Sequence, residues 1–279
     1  MRYHRFMGGR SGAAGFCSLA LCSLVACTAL VDTRGLVGPP EAVADAADAA
    51  APDASTSDAS ALPSGALVAM WSFEETTPQI VDVSGSGNHG TSYQVTQVPG
   101  KVGMGIELGA TSCVLVPDSP SLALTDARAL TMMAWARVSA CADTARDHGS
   151  ILNKEDTYEL GVRCSGDSLM LQEAVMSEPA GWDWHGSAAL TRDVWQHVAV
   201  TWDGATVRHY VDGQQKDSHP QGGAIRGATS GLGIGCRDVA ADGSPSVARE
   251  WFAGVIDEVA IYGRALTEDE LRAYYEAAR

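Results

Sequence analysis

Between Leu67 and Tyr262 the chain alternates short apolar and polar runs broken by turn residues, the pattern of half-buried β-strands. The clearest pair is WQHVAVTW (195–202) and ATVRHYV (205–211), followed by Asp203-Gly204 and Asp212-Gly213 respectively. Asp and Gly both tolerate a positive φ, so each D-G step reads as a hairpin turn. Similar patterns predict strands at 67–73, 113–117, 130–138, 158–164, 168–175, 230–235 and 252–262. Only the C-terminus looks helical: Thr267 and Glu270 have capping-box spacing, with Leu266 and Leu271 placed as a hydrophobic staple. About ten strands and one late helix predict an all-β fold, a two-sheet antiparallel β-sandwich of jelly-roll type with a short C-terminal helix.

The N-terminus does not belong to that pattern. Arg2, Arg5 and Arg10 precede a small-residue apolar run from Ser11 to Ala26, which reads as a secretory signal over 1–26. Its end, Leu24-Val25-Ala26-Cys27, resembles the lipobox of bacterial lipoproteins, which implies lipidation of Cys27 as the first mature residue. The run is short for a transmembrane span, which needs roughly 20 apolar residues. Thr28 follows the cysteine, and by resemblance to the sorting rule of enteric bacteria the chain is expected at the outer membrane or cell surface. Residues 27–65 are mostly Ala, Asp, Pro, Ser and Thr, too poor in apolar surface to offset their ordering entropy. They read as a disordered tether.

Composition narrows the partners. A formal charge of −15 argues against nucleic acid or an anionic lipid surface, which call for clustered Lys and Arg, and leaves the lipid as the expected membrane contact. Of seven cysteines, Cys113, Cys141, Cys164 and Cys236 remain after the signal and the lipid anchor. Four in an exported chain predict two disulfides. Three pairings are open, and Cys164 with Cys236 and Cys113 with Cys141 is the pairing we expect. No two of them have the short spacing of a zinc site.

Asp82, Ser84, Ser86 and Asn88 place an oxygen at every second position of a loop opened by Gly85, Gly87 and Gly90. Calcium takes six to eight oxygens, and an EF-hand is excluded because Tyr93 stands where its bidentate Glu belongs. A plain Gly-rich turn is the simpler reading. Alternation along the last strand places Asp257 on the face of Val255, Val259 and Ile261, an expected inward set. A carboxylate there requires a pairing or a metal, and Arg137 is the alternative partner.

Most of the seven tryptophans fall inside strands, where core packing is the default. The stretch GWDWHG (181–186) is expected between strands instead, and Trp182 and Trp184 there make a sugar platform, with Asp183 and His185 as hydrogen-bonding partners. Tyr158 and Arg163 on the neighbouring predicted strand are further candidates.

Four segments, in order, resemble the concanavalin A-like domains of the laminin G type, in the bacterial branch related to pentraxins. They are MWSFEE with VDVSGSGNHG (70–90), LVPDSPSLAL before LTMMAWARV (115–138), WQHVAVTWDGATVRHYVDGQ (195–214) and FAGVIDEVAIYGRALTEDEL (252–271). The resemblance covers roughly 66–279. It implies a concanavalin A-like jelly roll used as a carbohydrate- or protein-binding module, often with a structural calcium. By that resemblance the calcium ligands map to Glu74, Asp82, Asn88 and Asp257, with Glu75 or Glu258 as substitutes. The laminarinase-like relatives carry an E-x-D-x-E strand, and no Glu here is followed two residues later by Asp. No G-x-S-x-G elbow or H-E-x-x-H helix is present, and the histidines from His89 to His219 are scattered, so any His-based set must be assembled by the fold. The expectation is a non-catalytic, lectin-like module binding a glycan, with a protein-binding envelope scaffold as the alternative and a glycoside hydrolase behind both.

Overall fold

The computed structural model describes residues 62–278, with Thr77 and residues 142–146 excepted. All described residues fall in the second of two units, Pro52–Arg279. The expected signal, the lipidated Cys27 and the tether up to residue 61 lie outside the described residues.

Among the described residues the main architecture is two antiparallel sheets of eight strands each. The first runs Gln214–Pro220, Thr206–Val211, Gln196–Trp202, Leu130–Cys141, Phe252–Tyr262, Met104–Leu108 and Thr96–Pro99, with Leu67–Trp71 also paired to Phe252–Tyr262. The second runs His185–Leu190, Ser168–Val175, Tyr158–Ser165, His148–Lys154, Leu232–Ile234, Cys113–Val116, Gly90–Tyr93 and Gln79–Ile80. Their inner faces share one apolar core, including Trp71, Val198 and Ile256 from the first sheet and Val114, Leu160 and Ile234 from the second. Burying each such aliphatic side chain contributes about 1.5–3 kcal/mol. This is the predicted sandwich.

The outer face of the first sheet carries a second cluster, with Trp135, Tyr210 and Tyr262 covered by Leu271 and Tyr274 of the C-terminal helix Glu268–Ala277. The capping box forms as spaced: Thr267 accepts from the Glu270 N–H, and the Thr267 N–H donates to the Glu270 carboxylate at 2.9 Å. No helix among the described residues is long and apolar enough to cross a membrane. A short helix, Pro120–Ala123, was not legible, being a single turn capped by Ser119.

The two D-G steps differ. Asp212 and Gly213, at φ 54° and 70°, make the two-residue turn between Val211 and Gln214. The Asp203 loop is longer, since Trp202 pairs with Val207, and Asp203 Oδ1 accepts from the Ala205 and Thr206 amides.

Two expectations are corrected. The last strand carries a bulge between Asp257 and Ala260, with Glu258 at φ 53°, and this reverses the alternation. Ile256, Val259 and Ile261 enter the core, so Val255 and Asp257 lie on the opposite face rather than the inward one. The disulfide joins Cys113 to Cys236, not Cys113 to Cys141 or Cys164 to Cys236. Register is the reason: Val114 pairs with Ile234, which brings the two cysteines to the same end of adjacent strands with Cα atoms 5.6 Å apart. Cys164 is disulfide-bonded as well, and the side chain of Cys141 lies outside what is described.

Candidate functional site

On the outer face of the second sheet, neighbouring strands bring polar side chains of distant sequence together. His148 stands opposite Arg163, Gln172 opposite Gly161, and Asn153 opposite Glu159. His148 Nε2 lies 2.9 Å from Glu159 Oε1 and its Nδ1 lies 3.3 Å from Gln172 Oε1. Arg237 enters from the following strand segment and donates to Glu250 at 2.9 Å, to Glu155 at 2.9 and 3.1 Å, and meets Glu159 at 3.2 Å. His148, Glu159 and Glu250 have the ligand spacing of a cation site. The Arg237 guanidinium already reaches both of those carboxylates, so the acids are balanced by a protein cation rather than left awaiting an ion.

This network tunes its members. Burial alone would lower His148, but the hydrogen bond and charge of Glu159, with Glu250, more than offset it and raise the imidazole above its ordinary value. Burial raises the Glu155 carboxyl, against the opposing pull of Arg237.

The network floors an open cleft of about 450 Å³ lined by Asp147, His148, Arg163, Gln172, Trp184, Arg237 and Glu250. Trp184 meets the His148 ring edge-on at 4.8 Å, and Trp182 packs against Trp184 at 5.5 Å in a T-shape. The Arg237 guanidinium lies 5.1 Å from the Trp184 ring and 5.8 Å from the Trp182 ring. Both indoles are half-buried: packed at one side, accessible at the other.

With that geometry in view, residues 108–272 match the laminin G-type model of the concanavalin A-like lectin/glucanases superfamily, more than half of the chain. The chain belongs to this superfamily. No curated protein matches it. Among solved structures it is similar to domain 4 of AbnA, a GH43 extracellular arabinanase from Geobacillus stearothermophilus in complex with arabinotriose, at 21% identity and TM-score 0.55, covering 76% of this chain and 98% of that one. It is also similar to the binding domain of Paraclostridial Mosquitocidal Protein 1, at 18% identity, TM-score 0.55 and 75% of this chain. A third similar structure is of botulinum neurotoxin type C, whose cell entry is described as dependent on two ganglioside molecules, at 13% identity, TM-score 0.56 and 77% of this chain. The chain spans about half the length of each toxin structure. At these identities the likeness is one of fold.

Within this laminin G-like domain the predicted loop residues part company. Trp182 and Trp184 come together at the cleft, and Asp183 is exposed. His185 is not in a loop: it opens the strand His185–Leu190 and its side chain stacks on His219 at 3.6 Å, away from the indoles. Arg163 lines the cleft, whereas Tyr158 is buried with its hydroxyl donating to the Leu122 carbonyl. The residues that sequence reasoning passed over are His148, Gln172, Arg237 and Glu250. His148 opens the strand His148–Lys154, which is buried throughout and shows no alternation, so the period-two signal that would have exposed it is missing, and the other three come from separate segments that meet it only in the fold.

The calcium set that the superfamily resemblance implies is held in two pieces. Asp82 Oδ1 accepts from the Met70 and Ser84 amides and Oδ2 from Asn88 N–H. Asn88 Nδ2 donates to the Val68 carbonyl, and its Oδ1 accepts from Ser119 and Ser121. That half organises a loop with its own hydrogen bonds. Glu74 and Asp257 instead share the turn 100–104, where Asp257 Oδ2 accepts from Lys101 and Val102 and Glu74 Oε1 from Met104. A Cβ at Gly100 would press on Asp257 and one at Gly103 on Glu74, so those glycines make room for the two acids. Burial first, with Glu74 adding to it, drives the Asp257 carboxyl up to about 7 against the pull of three backbone amides.

Proposed function

We propose that this domain is a non-catalytic carbohydrate-binding module whose glycan sits in the cleft beside Trp182 and Trp184. The observation that carries the reading is the half-buried indole pair set against a prearranged ring of His148, Gln172, Arg163 and Arg237. Apolar sugar faces stack on indoles, while hydroxyls take hydrogen bonds from fixed polar groups. The arabinanase domain of like fold is described in complex with arabinotriose, and the cell entry of the neurotoxin as dependent on interaction with two ganglioside molecules, which supports the substrate class. Glu155, Glu159 and Glu250 are tied to Arg237, an arrangement suited to rigid recognition rather than to a pair of carboxylates free to act across a scissile bond. The lipidated Cys27 and the tether, as read from sequence, would present the module at the cell surface.

A glycan array probed with the full chain tests this directly. Binding to one sugar class, lost in Trp184→Ala with the fold intact by circular dichroism, is the expected result. A blank array from the folded chain would overturn it and turn attention to an envelope protein.

The implied calcium fits best at Glu74 and Asp257, two acids sharing one partly desolvated turn. Bound there, it would neutralise the pair and tie the segment after Trp71 to the last strand, without chemistry of its own. Calcium should raise the melting temperature of the wild type and leave Asp257→Asn unchanged. An equal response of both proteins, or none in the wild type, would rule out this placement.

A further inference from the structure

A second polar cluster lies between the sheets, apart from the glycan cleft. Glu173 stands on the inner side of Ser168–Val175, opposite Leu160 on one neighbour and His185 on the other. His209 faces it from Thr206–Val211 of the first sheet, between the core residues Val207 and Val211, and His219 comes from Gln214–Pro220 opposite Val207. Glu173 and His209 are fully buried, and the His219 side chain is 14% exposed.

The geometry there is wrong for hydrogen bonds. Glu173 Oε1 lies 3.5 Å from His209 Nε2 and 3.4 Å from His219 Nε2, and neither Glu173 oxygen has a hydrogen-bond partner among the described residues. The two Nε2 atoms are equally without one. A charge-assisted pair of this kind closes to about 2.7–2.9 Å. Ligand atoms about 2.0–2.1 Å from a tetrahedral zinc stand about 3.3–3.4 Å from one another. The Glu173 oxygen therefore stands from each imidazole nitrogen at about the separation of two ligands on a shared ion, and the ligand atoms of all three side chains lie within 4.8 Å of one another. A buried carboxylate whose two oxygens make no hydrogen bond is costly, and a shared ion offsets that cost.

The surroundings orient the ligands. His209 Nδ1 meets Ser187 Oγ at 2.6 Å. A His whose other nitrogen is held in this way presents its Nε2 lone pair to the metal. His185 stacks flat on the His219 ring at 3.6 Å and limits its rotation. We propose that Glu173, His209 and His219 bind one divalent transition-metal ion, zinc by ligand chemistry, between the two sheets. Two imidazoles and one carboxylate suit zinc and its first-row neighbours, whereas calcium takes an all-oxygen shell. The ion would fasten the hairpin 206–220 to the strands that flank the tryptophan segment.

The test is calorimetric titration of zinc into the chelator-treated full chain, beside His219→Ala and Glu173→Gln. One equivalent bound by the wild type, with a higher melting temperature, and affinity lowered at least ~100-fold in both variants is expected. Ser187→Ala should weaken binding by about 10–100-fold. A visible spectrum of tetrahedral cobalt(II) in the wild type, absent in His219→Ala, gives a readout independent of folding stability. Absence of binding by the wild type, or unchanged affinity in the variants, would overturn the site.

Discussion

His197 lies beneath the C-terminal helix, its ring 5.5 Å from Trp135 and 5.2 Å from Tyr274, and neither nitrogen has a hydrogen-bond partner among the described residues. Burial lowers it from 6.5 to about 3. The unfolded chain takes up a proton below 6.5 that the folded one refuses, so this residue removes stability as pH falls from 6.5 toward 3 and has no effect above that window. The slope is at most about 1.4 kcal/mol per pH unit. In urea unfolding at about pH 5 and about pH 8, His197→Leu should narrow the difference between the two free energies by about 2 kcal/mol. At the higher pH it should be no less stable than the wild type, because two unsatisfied nitrogens are gone. An unchanged acid limb would show that other groups set it. Legibility was uneven at this scale: Trp182 and Trp184 announced themselves as loop aromatics, whereas His148, Arg237 and Glu250 carry no local pattern and acquire a role only from their neighbours across the sheet.

Strands and helix follow local rules to the extent that they alternate. The segments 130–138, 158–164, 168–175 and 252–262 were legible because one face is apolar, and the Asp212-Gly213 turn because Asp and Gly tolerate positive φ. Gln214–Pro220 and Thr96–Pro99 were not, since as the two edges of the first sheet they need only backbone pairing: the first carries no aliphatic residue and the second is four residues long. The C-terminal helix depends on its cap. Thr267→Ala should cost about 1 kcal/mol in urea unfolding, and a Thr267→Ser variant should recover most of it. A loss of similar size in both would show that the hydroxyl is not the cause. Because the helix covers Trp135 and Tyr262, the change should also alter tryptophan fluorescence of the native state.

Across the whole molecule, the sequence by itself determined the sandwich class, its superfamily, the late helix and the indole pair, because each rests on local periodicity or on a contiguous motif. The disulfide pairing, the face of Asp257, the Arg237 network and the Glu173–His209–His219 cluster were decided only by the tertiary structure. The physical reason is the same in each case. Strand register, a one-residue bulge and the stacking of two sheets bring together residues as far apart as Cys113 and Cys236, 123 positions distant, and a single residue's shift reverses which side chains meet.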